Sequence, residues 1–373
     1  MASVTPYAEP PGKPPFDVLR LPLIGRVLRW RYGRLVLQIP FLIVALLLVY
    51  DGFTGPQRPA ENMATVLPWV HYRGFVVLAL LLAGNLFCMG CPFTVPRTLA
   101  RRLSIRGRRF PRVLRNKWLA ILALFGIFFA YEWFDLWASP ALTAWVIVAY
   151  FVASFVLEAV FTESAFCKYV CPLGTFNFTY STLAPTRISV LNPDICRTCV
   201  GKECVNGSYS PQPVIRLDSI PTAAAPVEVR HGPQGTLGCG TELFAPQIRS
   251  NMDCTLCLDC VRACPHQNAT LATRPFGREL IEIENAPRRW DIAYLYVALT
   301  AMAVVNAFGM VPPVYDLMQQ MADALGLTAL GWSDDALEFV TLTLIFVAGS
   351  LLLPAVILLG CQWLSRKLTG TLK

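Results

Sequence analysis

Apolar residues in this chain collect into six long runs, roughly 34–53, 70–90, 117–137, 141–161, 291–311 and 338–360, with almost no charge inside any of them. A helix needs about 20 apolar residues to cross a bilayer, and each run reaches that length. Each run taken singly also fits a buried core helix. Six such runs are too many to bury inside one soluble domain of this size, so the pattern predicts an all-α polytopic membrane protein with six transmembrane helices. The one long polar stretch, 162–290, lies between the fourth and fifth runs and is predicted as an inserted α+β domain. Within it, 208–235 carries five prolines and reads as a structureless excursion. The predicted division is 1–33 as an N-terminal segment, 34–161 as two helical hairpins, 162–290 as the inserted domain, 291–360 as a closing hairpin and 361–373 as a tail.

Charge gives these runs a direction. Nine Lys and Arg residues fall between Arg97 and Lys117, whereas 312–338 has five acidic residues and no Lys or Arg, and 51–69 has Arg58 alone. Cytoplasmic loops carry the Lys/Arg excess, so both termini and the inserted domain are predicted in the cytoplasm of a cell whose inner membrane holds the helices. The net charge of +8 is spread beside apolar segments and forms no separate basic domain, which removes nucleic acid as an expected partner. About thirty polar residues precede the first run and no small-residue cleavage site follows it, so no signal peptide is expected.

The thirteen cysteines change the picture from a membrane protein to one with metal or redox chemistry. In "DCTLCLDCVRACPH", Cys254, Cys257, Cys260 and Cys264 follow C-x2-C-x2-C-x3-C and are followed by Pro265. This is the bacterial ferredoxin spacing, in which the fourth Cys ligates a second cluster. Zinc is the competing chemistry, but zinc sites usually present two separated C-x2-C pairs. "DICRTCVGKEC" supplies Cys196, Cys199 and Cys204, and Cys239 follows after a long gap. The expected grouping is therefore Cys196, Cys199, Cys204 and Cys264 on one [4Fe-4S] cluster, with Cys239, Cys254, Cys257 and Cys260 on the other. The alternative, in which Cys239 closes the first set and Cys264 stays with its neighbours, remains open on spacing alone.

Two further pairs sit where the second and fourth runs end: Cys88 and Cys91 in "LFCMGCPFTVPR", and Cys167 and Cys171 in "AFCKYVCPLGTF". They form a weak internal repeat, with a third cluster, a soft-metal site or two redox dithiols as the chemistries open to them. Cys361 reads as a small buried hydrophobe. Three histidines, His71, His231 and His266, offer no intramembrane pair for a haem, and no G-x-G-x-x-G fingerprint is present. Glu158, Glu163, Glu132, Asn85 and Asn306 are the polar exceptions within or beside the runs, and Glu158 is a candidate proton relay or quinone contact.

"CMGCP", "CKYVCP", "CRTCVGKEC" and "CTLCLDCVRACP" together resemble the membrane polyferredoxins, over roughly residues 80–270. That group includes the membrane ferredoxin subunit of periplasmic nitrate reductase systems, the nitrous-oxide-reductase maturation protein and the cytochrome oxidase copper-assembly ferredoxin. The chain departs from the family in its C-x2-C pair at Cys88–Cys91 and in the irregular first cluster run. The resemblance implies a ferredoxin-like double-cluster domain and electron transfer between a quinone or membrane partner and a redox enzyme. Its alternative is an assembly factor that reduces or hands on copper. No catalytic residue is predicted beyond electron transfer.

Overall fold

The structure, a computed structural model, describes residues 16–30, 32–96, 108–161, 163–208, 235–281 and 289–370. It is mostly helical, with one two-stranded sheet. Most of the Pro-rich excursion, His231 and the first half of the Arg97–Lys117 loop lie outside the described residues. Five helices are long and apolar enough to cross a membrane: α1 (Gly33–Thr54), α2 (Met63–Ala83), α4 (Pro140–Val160), α6 (Trp290–Gly309) and α7 (Asp334–Thr369). The third run gives a shorter helix, α3 (Trp118–Trp133), of 16 residues. Helix ends there because the chain turns at Phe134 and Asp135 adopts a left-handed conformation, φ 44°.

Local signals explain where the spans begin. Asn62 caps α2 by accepting from the Ala64 N–H at 2.8 Å, and Ser139 precedes Pro140 at the start of α4. The largest displacement from the apolar pattern is in the second run. Its helix starts earlier than 70 and stops at Gly84, where φ is 75°. A Cβ at Gly84 would stand 2.6 Å from Thr186 Oγ1 and 2.9 Å from Leu256 Cδ1, so only glycine lets this span end against the polar domain. Beyond the break a single turn, Leu86–Met89, carries Cys88.

Helix crossings are close. α1 packs along α4, and a Cβ on Gly52 would meet Ala144 Cβ at 2.8 Å and the Pro140 carbonyl at 2.9 Å. α6 packs against α3 and α7 around Leu295, Ala298 and Met302. Trp118 meets Tyr294 near the start of α6, and Trp133 meets Phe339 near the start of α7, so α3 runs the length of the bundle.

In the polar domain β1 (Thr186–Val190) pairs antiparallel with β2 (Ala269–Thr273). Residues ahead of α1 join this domain: the Thr273 N–H donates to the Phe16 carbonyl at 2.9 Å, and Leu19 enters the core with Ile188, Leu256, Leu258 and Leu271. Met89, with Leu37 and Leu86 beside it, belongs to that same core. The domain and the helix ends therefore share one apolar interior.

Candidate functional site

β1 delivers the chain to Asn192, whose side chain caps the short helix Pro193–Thr198 by accepting from the Asp194 N–H at 2.9 Å. This puts Cys196 in the helix and Cys199 at its end. A left-handed Lys202, φ 47°, reverses the chain into Glu203–Asn206, which holds Cys204. Cys264 follows the helix Asp259–Ala263. Cys196, Cys199, Cys204 and Cys264 line one pocket, together with Ile195 and Phe244. Asn268 organises it: its Nδ2 donates to Cys196 Sγ at 3.2 Å and its backbone N–H to Cys264 Sγ at 3.4 Å. Burial pushes the Cys204 thiol up to about 12, and the neighbouring thiols Cys264, Cys196 and Cys199 act the same way.

Cys239 is joined to this pocket through the backbone, its N–H donating to the Cys204 carbonyl at 2.9 Å. Its sulfur, however, lies within electrostatic reach of Cys254, Cys257 and Cys260. Those three are buried. The loop that carries them bends through Asp253 (φ 69°), Leu256 (φ 45°) and Leu258 (φ 59°). Left-handed residues other than glycine cost about 1–2 kcal/mol each. Here the Leu256 and Leu258 side chains, 1% exposed in the core, hold the loop in that shape. The bends turn backbone N–H groups toward sulfur, from Leu256 to Cys254 and from Asp259 to Cys257. Burial pushes the Cys257 thiol up to about 11, Asp259 adds to the shift and Arg34 opposes it. Burial and the neighbouring thiols hold Cys260 well above its ordinary value.

The second pair of motifs lies deeper among the helices. Cys171 caps the helix α5 (Pro172–Ser181), its sulfur accepting from the Gly174 N–H at 3.1 Å, and Cys91 precedes the turn Pro92–Thr94 in the same way. Both Cys-Pro pairs thus begin a helix rather than end a span. Cys88, Cys91 and Cys171 lie within electrostatic reach of one another, and Asn177 Nδ2 donates to Cys88 Sγ at 3.5 Å. Cys167 sits in the turn Phe166–Val170 beside them in sequence, with its carbonyl 3.2 Å from where a Cβ on Gly174 would stand. Cys361 is exposed on α7, in contrast to the buried position its apolar neighbours suggest.

The polar exceptions take varied roles. Glu163 accepts from the Phe110 N–H at 3.0 Å and pairs with Arg115 at 3.3 Å, and Glu132 accepts from Asn306. Glu158 is buried in α4.

Several residues bind these sets together; Asn85 stands out in the sequence as a polar residue within an apolar run, whereas the partners of Lys117, Asn251 and Arg34 have no local sequence signal. Lys117, 1% exposed, pairs with Asp253 and donates to the Lys168 carbonyl at 2.7 Å, joining α3 to the second thiol loop. Asn251 donates to the Ser181 and Thr186 carbonyls at 2.7 and 2.8 Å. Asn85 donates to the Cys254 carbonyl at 3.0 Å and also hydrogen-bonds Cys88. Arg34 pairs with Asp259 at 3.3 Å and donates to Thr94 Oγ1 at 2.9 Å.

Among the described residues no group of three or more His, Cys, Asp or Glu side chains is arranged around a single metal ion. A cubane [4Fe-4S] core takes one thiolate per iron, so four ligands to it would stand apart at separate corners. Comparison of the chain with protein-family models, curated proteins and solved structures finds no match.

Proposed function

We propose that this chain is a membrane-bound iron–sulfur electron-transfer protein. It would carry two [4Fe-4S] clusters in a ferredoxin-like domain and pass single electrons between a quinone or membrane partner and a redox enzyme. The observation that carries the reading is the gathering of Cys196, Cys199, Cys204 and Cys264 around one pocket, although Cys264 lies 60 residues beyond Cys204. Buried thiols repel one another as thiolates, and a cationic iron core relieves both the repulsion and the desolvation. Backbone N–H groups facing Cys254, Cys257 and Cys264 supply the donors that tune such a core. The strained left-handed residues of the second loop support the same reading, since strain of this kind collects at functional sites. When bound, the clusters would accept and release single electrons; the protein's part is to hold them in a domain that shares its core with the helix ends.

The six-crossing arrangement belongs to this proposal. It is supported by α3 running from Tyr294 to Phe339, and a cytoplasmic inner-membrane orientation by the Lys/Arg bias. A second reading, an assembly factor handing on copper, is favoured by the proximity of Cys88, Cys91 and Cys171, because soft thiolates suit Cu(I).

Anaerobic purification with iron and sulfide analysis and electron paramagnetic resonance tests the proposal. About eight iron atoms per chain are expected, falling to about four in Cys257→Ser, on four thiolates per cubane. Colourless, iron-free protein overturns it. Copper retained only while Cys88, Cys91 and Cys171 are intact would establish the second reading.

A further inference from the structure

Arg34 stands at the first turn of α1, between two thiol sets. One side of its guanidinium pairs with Asp259 Oδ2 at 3.3 Å, and Asp259 lies between Cys257 and Cys260 in the loop. The other side donates to Thr94 Oγ1 at 2.9 Å, and Thr94 Oγ1 in turn donates to the Cys91 carbonyl at 2.8 Å. Gln38, one helical turn further on, donates to the same Thr94 oxygen at 2.8 Å and is buried. The cation is thus fixed from two elements and has little freedom to swing into solvent. Its Nε–H is buried and meets no acceptor among the described residues. A buried, charged donor left without an acceptor is costly unless something in the site takes it up.

Two cations face the Asp259 carboxylate. Arg262 Nη2 also bonds Asp259, at 2.6 Å, so one carboxylate serves two guanidiniums. Arg34 acts electrostatically on Cys257, Cys88 and Cys91.

We infer that Arg34 is a positioning residue that sets the reduction potential of the centre held by Cys239, Cys254, Cys257 and Cys260, and that it ties this centre electrostatically to the helix-end thiols. The inference rests on the iron–sulfur reading above. The step concerned is a one-electron reduction: one electron enters from an external reductant, no bond is made or broken, and the charge of the centre falls by one. A fixed cation with a free N–H stabilises that added charge, and net charge and hydrogen bonding to sulfur are the terms that set such potentials.

Redox titration of the full chain in detergent, followed by electron paramagnetic resonance and iron analysis, tests this. The signal of the loop centre is identified as the one lost in Cys257→Ser. Arg34→Gln is expected to move that midpoint to more negative potential with iron content unchanged. Arg34→Lys, which keeps the charge and loses the fork, should move it less. Asp259→Asn, which removes the opposing carboxylate, should move it to more positive potential. The centre lined by Cys196 and Cys264 should stay within error in all three. The inference is overturned by an unmoved midpoint in Arg34→Gln, by both centres shifting together, or by iron lost from Arg34→Gln. Should Arg34→Gln not accumulate, the sign of the Asp259→Asn shift decides alone. A wild-type chain with no cluster signal would instead sink the iron–sulfur reading itself.

Discussion

Asn268 shows how much one side chain contributes at the thiol pocket. Its Nδ2 bonds both Cys196 Sγ and the Asn192 carbonyl, the latter at 2.6 Å, and its Oδ1 accepts from the Asn192 N–H at 2.8 Å. Asn268→Ala removes all three, each worth about 0.5–1.5 kcal/mol. The expected outcome is a lower unfolding temperature and loss of iron from the Cys196 centre, with the Cys257 signal retained; an unchanged iron content would refute this role. The thiols themselves give a second residue-scale expectation, for protein stripped of iron. Cys257 and Cys204 have folded values raised to about 11 and about 12, so the folded chain holds their protons more tightly than the unfolded one. Their contribution is complete below the ordinary thiol value of about 8.5 and is lost as pH rises through the folded values. Iron-free protein should therefore melt at lower temperature near pH 10 than near pH 7. Equal or higher stability at the alkaline pH would count against the raised values.

Among the elements, the tight crossing of α1 and α4 is sensitive to a single methyl group. A Cβ on Gly52 meets a neighbouring side chain and a backbone carbonyl below 3.0 Å, whereas one on Gly126 in α3 meets nothing within 4 Å. Gly52→Ala should cost about 1–3 kcal/mol through overpacking. Gly126→Ala should be neutral or mildly stabilising, since glycine inside a helix costs about 1 kcal/mol relative to alanine. Thermal unfolding in detergent separates the two, and equal melting temperatures would refute the crossing. The spans themselves were legible because each is an apolar run, and the thiol loops because their cysteines recur at short, regular spacings. Their limits were less so. The stop at Gly84 was hidden because the apolar run resumes directly after Asn85, and hydropathy carries no information about φ. The early end of α3 was hidden for the same reason, as Phe134 and Leu136 continue the apolar pattern through the turn. Arg34 was readable only as one more basic residue before a span, because its partner Asp259 lies 225 positions away. The joining of residues 16–19 to the β-sheet is likewise a long-range pairing with no local signature.

At the scale of the whole molecule, the number of crossings decides on which side the C-terminus lies relative to the residues ahead of α1, which pack into the polar domain. Five crossings would put the two ends on opposite sides of the membrane, and six on the same side. The packing favours six. Lys117, at the start of α3, bonds Asp253 in the thiol loop, and Asp291, at the start of α6, accepts from the Lys117 N–H at 2.9 Å. Both helices therefore set out from the end of the bundle that carries the thiols. α7 returns antiparallel to α6, with Leu351, Ala355 and Leu358 in its second half packed on the Tyr294–Met302 cluster. The basic end of α7, with Arg366 and Lys367, then emerges at the thiol end, while Asp334 and Asp335 open it at the other. α3 has only 16 residues for this traverse, a rise of about 24 Å. The turn 134–138 and local thinning of the bilayer would make up the difference from about 30 Å. Single-cysteine labelling in a background lacking Cys361, with an impermeant reagent on intact cells, reads this directly. A cysteine placed at Gly326, in the loop ahead of α7, should be labelled, and one placed at Gly370 should be protected until the membrane is permeabilised. Labelling at both positions without permeabilisation would mean that α7 does not cross. Protection at Gly326 together with labelling at Gly370 would invert the bundle and put the thiol loops outside the cell, in conflict with the Lys/Arg bias.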